Sequence, residues 1–202
     1  MGSEAEHVID LYERHASDFD SDRGRHLMEK PWLDRLLALI AHPASILDIG
    51  CGSGEPIAGY FVRHGYAVTG VDSSPSLIAL CRSRFPDHEW VVADMRNLSL
   101  ASRFEAILAW DSFFHLRPED QQRMFPLFES HAAPGAGLLF TTGLSRGEAI
   151  GSYRGEPLYH GSLDPADYRA LLDRHGFEVL SHVIEDPSCG RHTIWLARRK
   201  RS

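Results

Sequence analysis

One short stretch, from Ser45 to Pro56, constrains the fold of this chain more than any other. A short apolar run ends at Asp48, three glycines then alternate with small residues, and a helical pattern follows. This order predicts a buried strand that breaks into a tight turn and opens a helix. The glycines at positions 50, 52 and 54 permit positive φ angles in that turn and let its backbone approach a ligand closely.

Acidic side chains around this turn distinguish between two nucleotide-like ligands. In the dinucleotide fingerprint G-x-G-x-x-G, a pyrophosphate lies at the helix N-terminus. Counting from Gly50, the position of the third glycine is occupied by Glu55, whose carboxylate would repel a pyrophosphate. Asp48 adds negative charge at the same place. The turn therefore favours a cationic ligand with an amino group and no phosphate, such as S-adenosylmethionine, over a nicotinamide cofactor.

Strand and helix patterns alternate along the rest of the chain, which predicts a parallel sheet with helices on both faces. The last two strands are joined by a turn, so one of them must run antiparallel to the others. No repeat, low-complexity segment or linker interrupts the pattern, and we expect a single α/β domain over residues 1–202. The seven predicted strands lie at 46–49, 66–71, 89–92, 104–109, 138–142, 177–184 and 193–197.

Charge and cysteine usage narrow the function classes. The formal net charge of −7 gives no general field that would attract nucleic acid. The three cysteines are widely spaced, and neither C-x-x-C nor H-x-x-x-H occurs, so we expect no metal site. The N-terminus is acidic and polar, unlike a signal peptide, and no apolar run has membrane-spanning length. We therefore expect a cytoplasmic monomer or homodimer with a small-molecule substrate and no nucleic-acid or membrane partner.

The segment from Asp48 to Gly54 resembles the glycine-rich motif of the class I S-adenosylmethionine-dependent methyltransferases. Further pieces of that family's pattern follow in order between about residues 45 and 142. The resemblance implies a Rossmann-like fold whose doubly wound, seven-stranded, mostly parallel sheet ends in an antiparallel strand. It also implies S-adenosylmethionine as cofactor. Family members that methylate nucleic-acid bases or glutamine carry an Asn/Asp-Pro-Pro-Tyr/Phe run, which is absent at residues 110–113.

The resemblance assigns a cofactor role to individual residues. Asp72 would bind the ribose hydroxyls, Asp94 the adenine amino group, and Met95 would cover the adenine ring. Two alternatives remain open from the sequence, a helix cap at Asp72 and ordinary core packing at Met95. The expected cofactor-binding residues are Asp48, Gly50, Cys51, Gly52, Asp72, Ser73, Asp94, Met95, Trp110 and Ser112.

Two flanking segments are the expected acceptor site. Residues 1–42 are predicted to form an N-terminal helical lid that contains a loop near 17–25. Residues 143–163 show no clear period and are predicted to be a long substrate loop, with a disordered connection as the alternative. His115 is the candidate catalytic base, because neutral histidine accepts protons near pH 7, and Asp111 could orient an amine or assist a hydroxyl. The expected substrate-binding residues are Tyr12, Phe19, Tyr153 and His160.

The reaction implied by the resemblance is transfer of a methyl group to a small organic acceptor by direct displacement. A base is needed only where the acceptor must lose a proton, so the sequence shows the cofactor residues more clearly than the catalytic ones. A second hypothesis is a non-catalytic sensor or assembly module that binds S-adenosylmethionine, because a fold does not determine a function.

Overall fold

The computed structural model describes residues 4–201, in which strands and helices alternate as the sequence predicts. Residues 1–3 and 202, the ends of the predicted domain, lie outside the described residues. The strands are β1 (Ser45–Ile49), β2 (Ala67–Asp72), β3 (Glu89–Val92), β4 (Phe104–Ala109), β5 (Ala132–Thr142), β6 (Gly147–Tyr153), β7 (Glu156–Ser162), β8 (Phe177–Asp186) and β9 (His192–Arg199). The helices are α1 (Glu4–Arg14), α2 (Ala16–Arg23), α3 (Lys30–Leu37), α4 (Ile57–Arg63), α5 (Pro75–Arg84), α6 (Pro118–His131) and α7 (Pro165–Arg174).

Seven strands form one sheet in the order β3-β2-β1-β4-β5-β9-β8. The strands β1 to β5 pair in parallel, and β9 runs antiparallel to both β5 and β8. The predicted fold class, a doubly wound and mostly parallel seven-stranded sheet with an antiparallel last strand, is confirmed. The chain order reverses between β1 and β4, and such a reversal opens a crevice for ligands at the carboxyl ends of the strands.

The sheet is buried on both faces, because successive side chains of each strand point to opposite sides. On one face, α6 and α7 cover an aromatic layer that includes Phe113, Phe140 and Trp195. On the other face, α3, α4 and α5 cover Ile46 and Leu108. The two layers hold the carboxyl ends of β1, β2 and β4 in fixed positions.

The predicted loop near residues 17–25 is wrong, because residues 16–23 form helix α2. Phe19 is the only large apolar side chain in this helix, so the sequence carries no amphipathic signal. Tertiary ion pairs hold the helix instead. Asp20 accepts hydrogen bonds of 2.6 and 2.7 Å from Arg84 of α5, and Asp22 binds Arg154 at 2.8 Å.

The predicted irregular loop over residues 143–163 is also wrong. Its central part is the antiparallel hairpin β6–β7. The turn has positive φ at Arg154 (52°) and Gly155 (82°), as in the two-residue hairpin turns whose twist matches the flanking strands. Strand β6 is largely exposed, whereas Leu158 and Tyr159 of β7 are buried against α1. The hairpin depends on this contact, which the local sequence does not reveal.

The start of the fifth strand also differs from the prediction. Residues 132–137, which precede the strand predicted at 138–142, belong to β5. A register shift between Phe104 and Ala106 opposite this segment accommodates Gly135, whose φ is 83°. A glycine-containing irregularity at a strand end resembles a turn in the sequence.

Gly70 in β2 allows the close packing of Trp90. A Cβ atom at Gly70 would lie 2.3 Å from Trp90 Cζ3 and 3.0 Å from Cys51 Sγ. We expect Gly70→Ala to lower the free energy of unfolding by about 1–3 kcal/mol, because the added methyl group overpacks a buried strand. Gly147→Ala is the control, because no heavy atom lies within 4 Å of its Cβ. Equal urea midpoints for the two variants would contradict the prediction.

Candidate functional site

Two adjoining cavities lie at the carboxyl edge of the sheet, at the reversal of strand order. The first cavity lies beneath α1 and reaches the ends of β2 and β3; its lining includes Ile9, Asp72, Ser73, Asp94, Met95 and Ser112. The lining of the second cavity includes Arg23, Asp48, Trp110, Phe114, His160 and His192. The residues that line both cavities are Tyr12, Phe19, Gly50, Gly52, Asp111 and His115.

The glycine-rich turn is as tight as the sequence predicts. Gly50 and Gly52 have φ angles of 76° and 56°. A Cβ atom at Gly50 would lie 2.2 Å from the Cβ of Ser112, whose hydroxyl donates to the Ile49 carbonyl at 2.7 Å. A Cβ atom at Gly52 would lie 2.9 Å from Phe19 Cε1 of α2. The glycines therefore let β4 and α2 approach the turn from opposite sides.

Asp72 connects the turn to the end of β2. Its carboxylate accepts 2.9 Å hydrogen bonds from the backbone N–H groups of Gly52 and Ser74. Burial raises the pKa of Asp72, although these N–H groups act in the opposite direction. The cap of α5 is Ser74, whose hydroxyl accepts from the Leu77 N–H at 3.1 Å. Asp72 is therefore not the cap residue, and its carboxylate lines the first cavity.

Asp94 lies at the end of β3. Its carboxylate accepts from the Arg96 backbone N–H at 2.9 Å and forms an ion pair with the Arg96 guanidinium. Burial raises the pKa of Asp94 and the Arg96 hydrogen bonds lower it, with a net downward shift. Asp94 and Met95 therefore present an ionised carboxylate and an apolar side chain to the far end of the first cavity.

His115 is buried between the two cavities and has a defined tautomer. Its Nδ1 lies 2.8 Å from the Tyr159 carbonyl oxygen, which can only accept, so Nδ1 carries the hydrogen. The other nitrogen, Nε2, accepts from the Tyr12 hydroxyl at 3.0 Å. Burial lowers the pKa of His115 to about 4. The ring is therefore neutral near pH 7.

The hairpin β6–β7 and the two N-terminal helices together cover the cavities. Glu156 in the hairpin forms an ion pair with Arg14 and lies 2.6 Å from His15 Nε2. Tyr153 donates to Asp22 at 3.0 Å and stacks on Tyr12 with ring centroids 6.1 Å apart. These contacts join the predicted lid to the predicted substrate segment.

A family model described as "Methyltransferase domain" matches residues 46–135 of this chain. Trans-aconitate 2-methyltransferase of Escherichia coli O1:K1 / APEC is 39% identical over 90 residues, which make up 44% of this chain and 35% of that protein. The matched part spans only about a third of the relative's length.

Solved structures share the fold. 1,6-didemethyltoxoflavin-N1-methyltransferase of Burkholderia thailandensis has a TM-score of 0.73 at 20% identity, and the match covers 99% of this chain and 92% of that one. CalS10, an amino pentose methyltransferase from Micromonospora echinaspora, has a TM-score of 0.70 at 19% identity, with 88% and 93% covered. The family model, the curated relative and the solved structures together support a class I S-adenosylmethionine-dependent methyltransferase. The family predicted from the glycine-rich motif is thereby confirmed.

The methyltransferase fold brings most of the predicted site residues together. The first cavity contains Gly50, Gly52, Asp72, Ser73, Asp94, Met95 and Ser112, and the second contains Asp48, Cys51, Trp110 and His160. Trp110 lies in the second cavity only, away from the end where Asp94 is found. Tyr153 lines neither cavity and contacts the site through Tyr12. The ligands and reactions assigned to these residues remain predictions.

Among the side chains of the site that the sequence did not predict are Arg23 and His192, which line the second cavity. Arg23 belongs to the helix that was predicted to be a loop, and His192 follows the turn after β8. Their sequence neighbours are polar and carry no motif. Only the fold brings them to the sheet edge.

Glu55 differs from its expected role. Its carboxylate lines the second cavity and forms a 2.8 Å ion pair with Arg63 of α4. Because Arg63 offsets the charge of Glu55, the repulsion of a pyrophosphate is weaker than the sequence suggests.

Among the described residues, no group of three or more His, Cys, Asp and Glu side chains could hold a metal ion. No helix in residues 4–201 is long and apolar enough to span a membrane.

Asp48 gives the site a measurable dependence on pH. Burial, followed by the Asp72 charge, raises its pKa to about 7. In the unfolded chain the value is about 4, so the folded state binds the proton more tightly and loses stability as the pH rises from about 4 to about 7. Asp48→Asn removes this group. We expect its stability relative to the wild type to increase by about 1–3 kcal/mol between pH 5 and pH 8. In urea titrations, a pH-independent difference would contradict this.

Proposed function

We propose that this chain transfers a methyl group from S-adenosylmethionine to a small organic acceptor by direct displacement. One observation carries the proposal: the carboxylate of Asp72 accepts the Gly52 N–H and lines the first cavity. A dinucleotide-binding turn would direct that N–H to a phosphate. Here the N–H is already bound, and a carboxylate occupies the place where a phosphate would lie. This arrangement suits a nucleoside without phosphate.

The residues of the first cavity fit this cofactor. Each Asp72 oxygen accepts one backbone N–H and keeps capacity for a ribose hydroxyl. Asp94 and Met95 supply a hydrogen-bond acceptor and an apolar cover for an adenine ring. Asp48, behind the turn, would hold the amino group of the methionine part. When bound, the cofactor supplies a methyl group activated by a sulfonium.

The residues of the chain position the two reactants and exclude water. Tyr12 and Phe19 line both cavities and pack edge to face, with ring centroids 5.3 Å apart. They cover the passage between the cofactor and the acceptor. The displacement needs these two reactants in line with each other and water excluded from between them. Neutral His115 lies in the same wall and is the proposed base for an acceptor that must lose a proton.

The covered second cavity supports a small acceptor. Helix α1 packs on Tyr159 of β7, and Leu158 and His160 of the hairpin line the second cavity. Two structural neighbours are named for small acceptors, a didemethyltoxoflavin and an amino pentose. The related trans-aconitate methyltransferase is also named for a small molecule.

Calorimetry with S-adenosylhomocysteine tests the cofactor site. We expect Asp72→Asn to weaken binding by about 1–3 kcal/mol, because the amide loses an acceptor for the ribose hydroxyls. Asp173→Asn is the control, because Asp173 pairs with Lys200 and lines neither cavity. Unchanged affinity in Asp72→Asn would remove Asp72 from the site. A wild type that ignores the nucleoside and binds NADH would contradict the proposed function.

A screen of metabolites with labelled S-adenosylmethionine tests turnover. With the acceptor so found, we expect His115→Asn to lower kcat by about 100-fold while the affinity for S-adenosylhomocysteine stays the same. Asparagine can still donate to the Tyr159 carbonyl but has no basic nitrogen. His175→Asn is the control, because His175 pairs with Glu129 and lines neither cavity. An unchanged kcat in His115→Asn would exclude His115 as the base, and cofactor binding without any turnover would favour the non-catalytic module.

A further inference from the structure

Asp111 occupies the boundary between the two cavities and has a left-handed backbone conformation. It directly follows β4, and its φ of 48° is in the left-handed region that side chains other than glycine, asparagine and aspartate rarely adopt. Its backbone N–H donates to Thr141 Oγ1 at 2.9 Å. This conformation aims the carboxylate across the sheet edge, where it lines both cavities.

His192 holds the Asp111 carboxylate in place. Its Nε2 lies 2.9 and 3.0 Å from the two carboxylate oxygens, and its Nδ1 lies 2.7 Å from the Cys189 carbonyl oxygen. Both nitrogens thus face acceptors, and the hydrogen bond with Asp111 raises the pKa of His192. An imidazolium satisfies both contacts at once. The ring then has no N–H group left for a ligand.

The carboxylate, in contrast, still has free lone pairs. The two carboxylate oxygens have roughly four acceptor sites. They make two contacts with His192 and one long contact of 3.4 Å with Thr141 Oγ1, so acceptor capacity remains. The Asp111 side chain is 34% exposed, compared with 19% for His192. The pair therefore offers a ligand hydrogen-bond acceptors and no donor. A ligand atom bound here must carry a hydrogen.

The other charges in the second cavity favour a cation over an anion. Arg23, the other cation among the described lining residues, forms an ion pair with the buried carboxylate of Glu29. Burial lowers the pKa of both His115 and His160, so these rings are neutral near pH 7. An anionic acceptor would find no uncommitted partner in this lining.

Aromatic rings in the lining add to this preference. Trp110 and Phe114 line the second cavity together with Tyr12. The negative faces of such rings attract an ammonium group. Carboxylate and aromatic walls together suit a protonated or proton-bearing nitrogen.

We propose that Asp111, positioned by His192, binds an N–H group of the methyl acceptor at the transfer point, and that the acceptor is an amine. Neutral His115 takes the proton that the nitrogen loses, and the nitrogen lone pair forms the new bond to the methyl carbon as the bond from that carbon to sulfur breaks, which leaves S-adenosylhomocysteine. This inference deepens the proposed function and rests on it. Asp111 is the binding residue, and His192 acts through it.

The test compares two cofactor analogues, which avoids the need to know the acceptor. Sinefungin carries an amino group where S-adenosylmethionine carries the methyl group, and S-adenosylhomocysteine carries nothing there. We expect the wild type to bind sinefungin more tightly, and Asp111→Asn to reduce this preference by about tenfold or more in calorimetry. Asparagine tolerates the left-handed backbone at position 111, so the variant should keep the fold.

The controls separate this inference from the proposed function. Asp94→Asn, at the other end of the first cavity, should weaken both analogues equally and leave the preference unchanged. If the wild type binds neither analogue, the proposed function fails. If both analogues bind and Asp111→Asn keeps the full preference for sinefungin, the amine inference is overturned and the cofactor site stands.

The pairing by which His192 positions Asp111 can be measured in the protein without ligand. The charges that act on the ring are the carboxylates of Asp111 and Glu29. In NMR titrations of the ring protons, Asp111→Asn should lower the pKa of His192 by about one unit, because the directly bound carboxylate is lost. An unchanged pKa would overturn the pairing. The spectra also report whether the variant is folded.

Discussion

The hydrogen bond from the Gly52 N–H to the Asp72 carboxylate is the interaction on which the site depends. It connects the turn after β1 to the end of β2, and it exists only because the turn adopts positive φ at Gly50 and Gly52. The same turn admits the Ser112 side chain against Gly50, so β4 ends beside it. Three strand ends thereby converge on one small volume. The buried layers on both faces of the sheet keep them there.

The cover of this site is built in a different way. Helices α1 and α2 and the hairpin β6–β7 meet through ion pairs whose side chains are about 40–50% exposed, such as Arg14–Glu156 and Arg154–Asp22. Exposed pairs of this kind contribute little free energy, about 0–1 kcal/mol each. A rigid sheet edge therefore faces a cover held by these exposed ion pairs together with the apolar contact of α1 with Leu158 and Tyr159.

The charges inside the cavities have distinct environments. Asp72 and Asp48 are buried with raised pKa values, Asp94 is ionised beside Arg96, and Asp111 is paired with His192. His115 stays neutral because burial lowers its pKa, although the hydrogen bond from Nδ1 to the Tyr159 carbonyl acts in the opposite direction. Burial and partner choice, rather than residue type, decide which of these groups carry charge and where.

The sequence alone determined the fold class, the turn and most of the first cavity, because these depend on local patterns: apolar runs, glycine spacing and acids at strand ends. It did not determine α2, the hairpin or the Asp111–His192 pair. Phe19 lies in a polar helix and His192 follows a turn, so neither belongs to a periodic pattern. The position of His192 depends on Asp111, which is 81 residues away in the sequence, and the position of α2 depends on Arg84 of α5. Only the tertiary structure decided the cover and the second cavity, because contacts between residues that are distant in the sequence fix them.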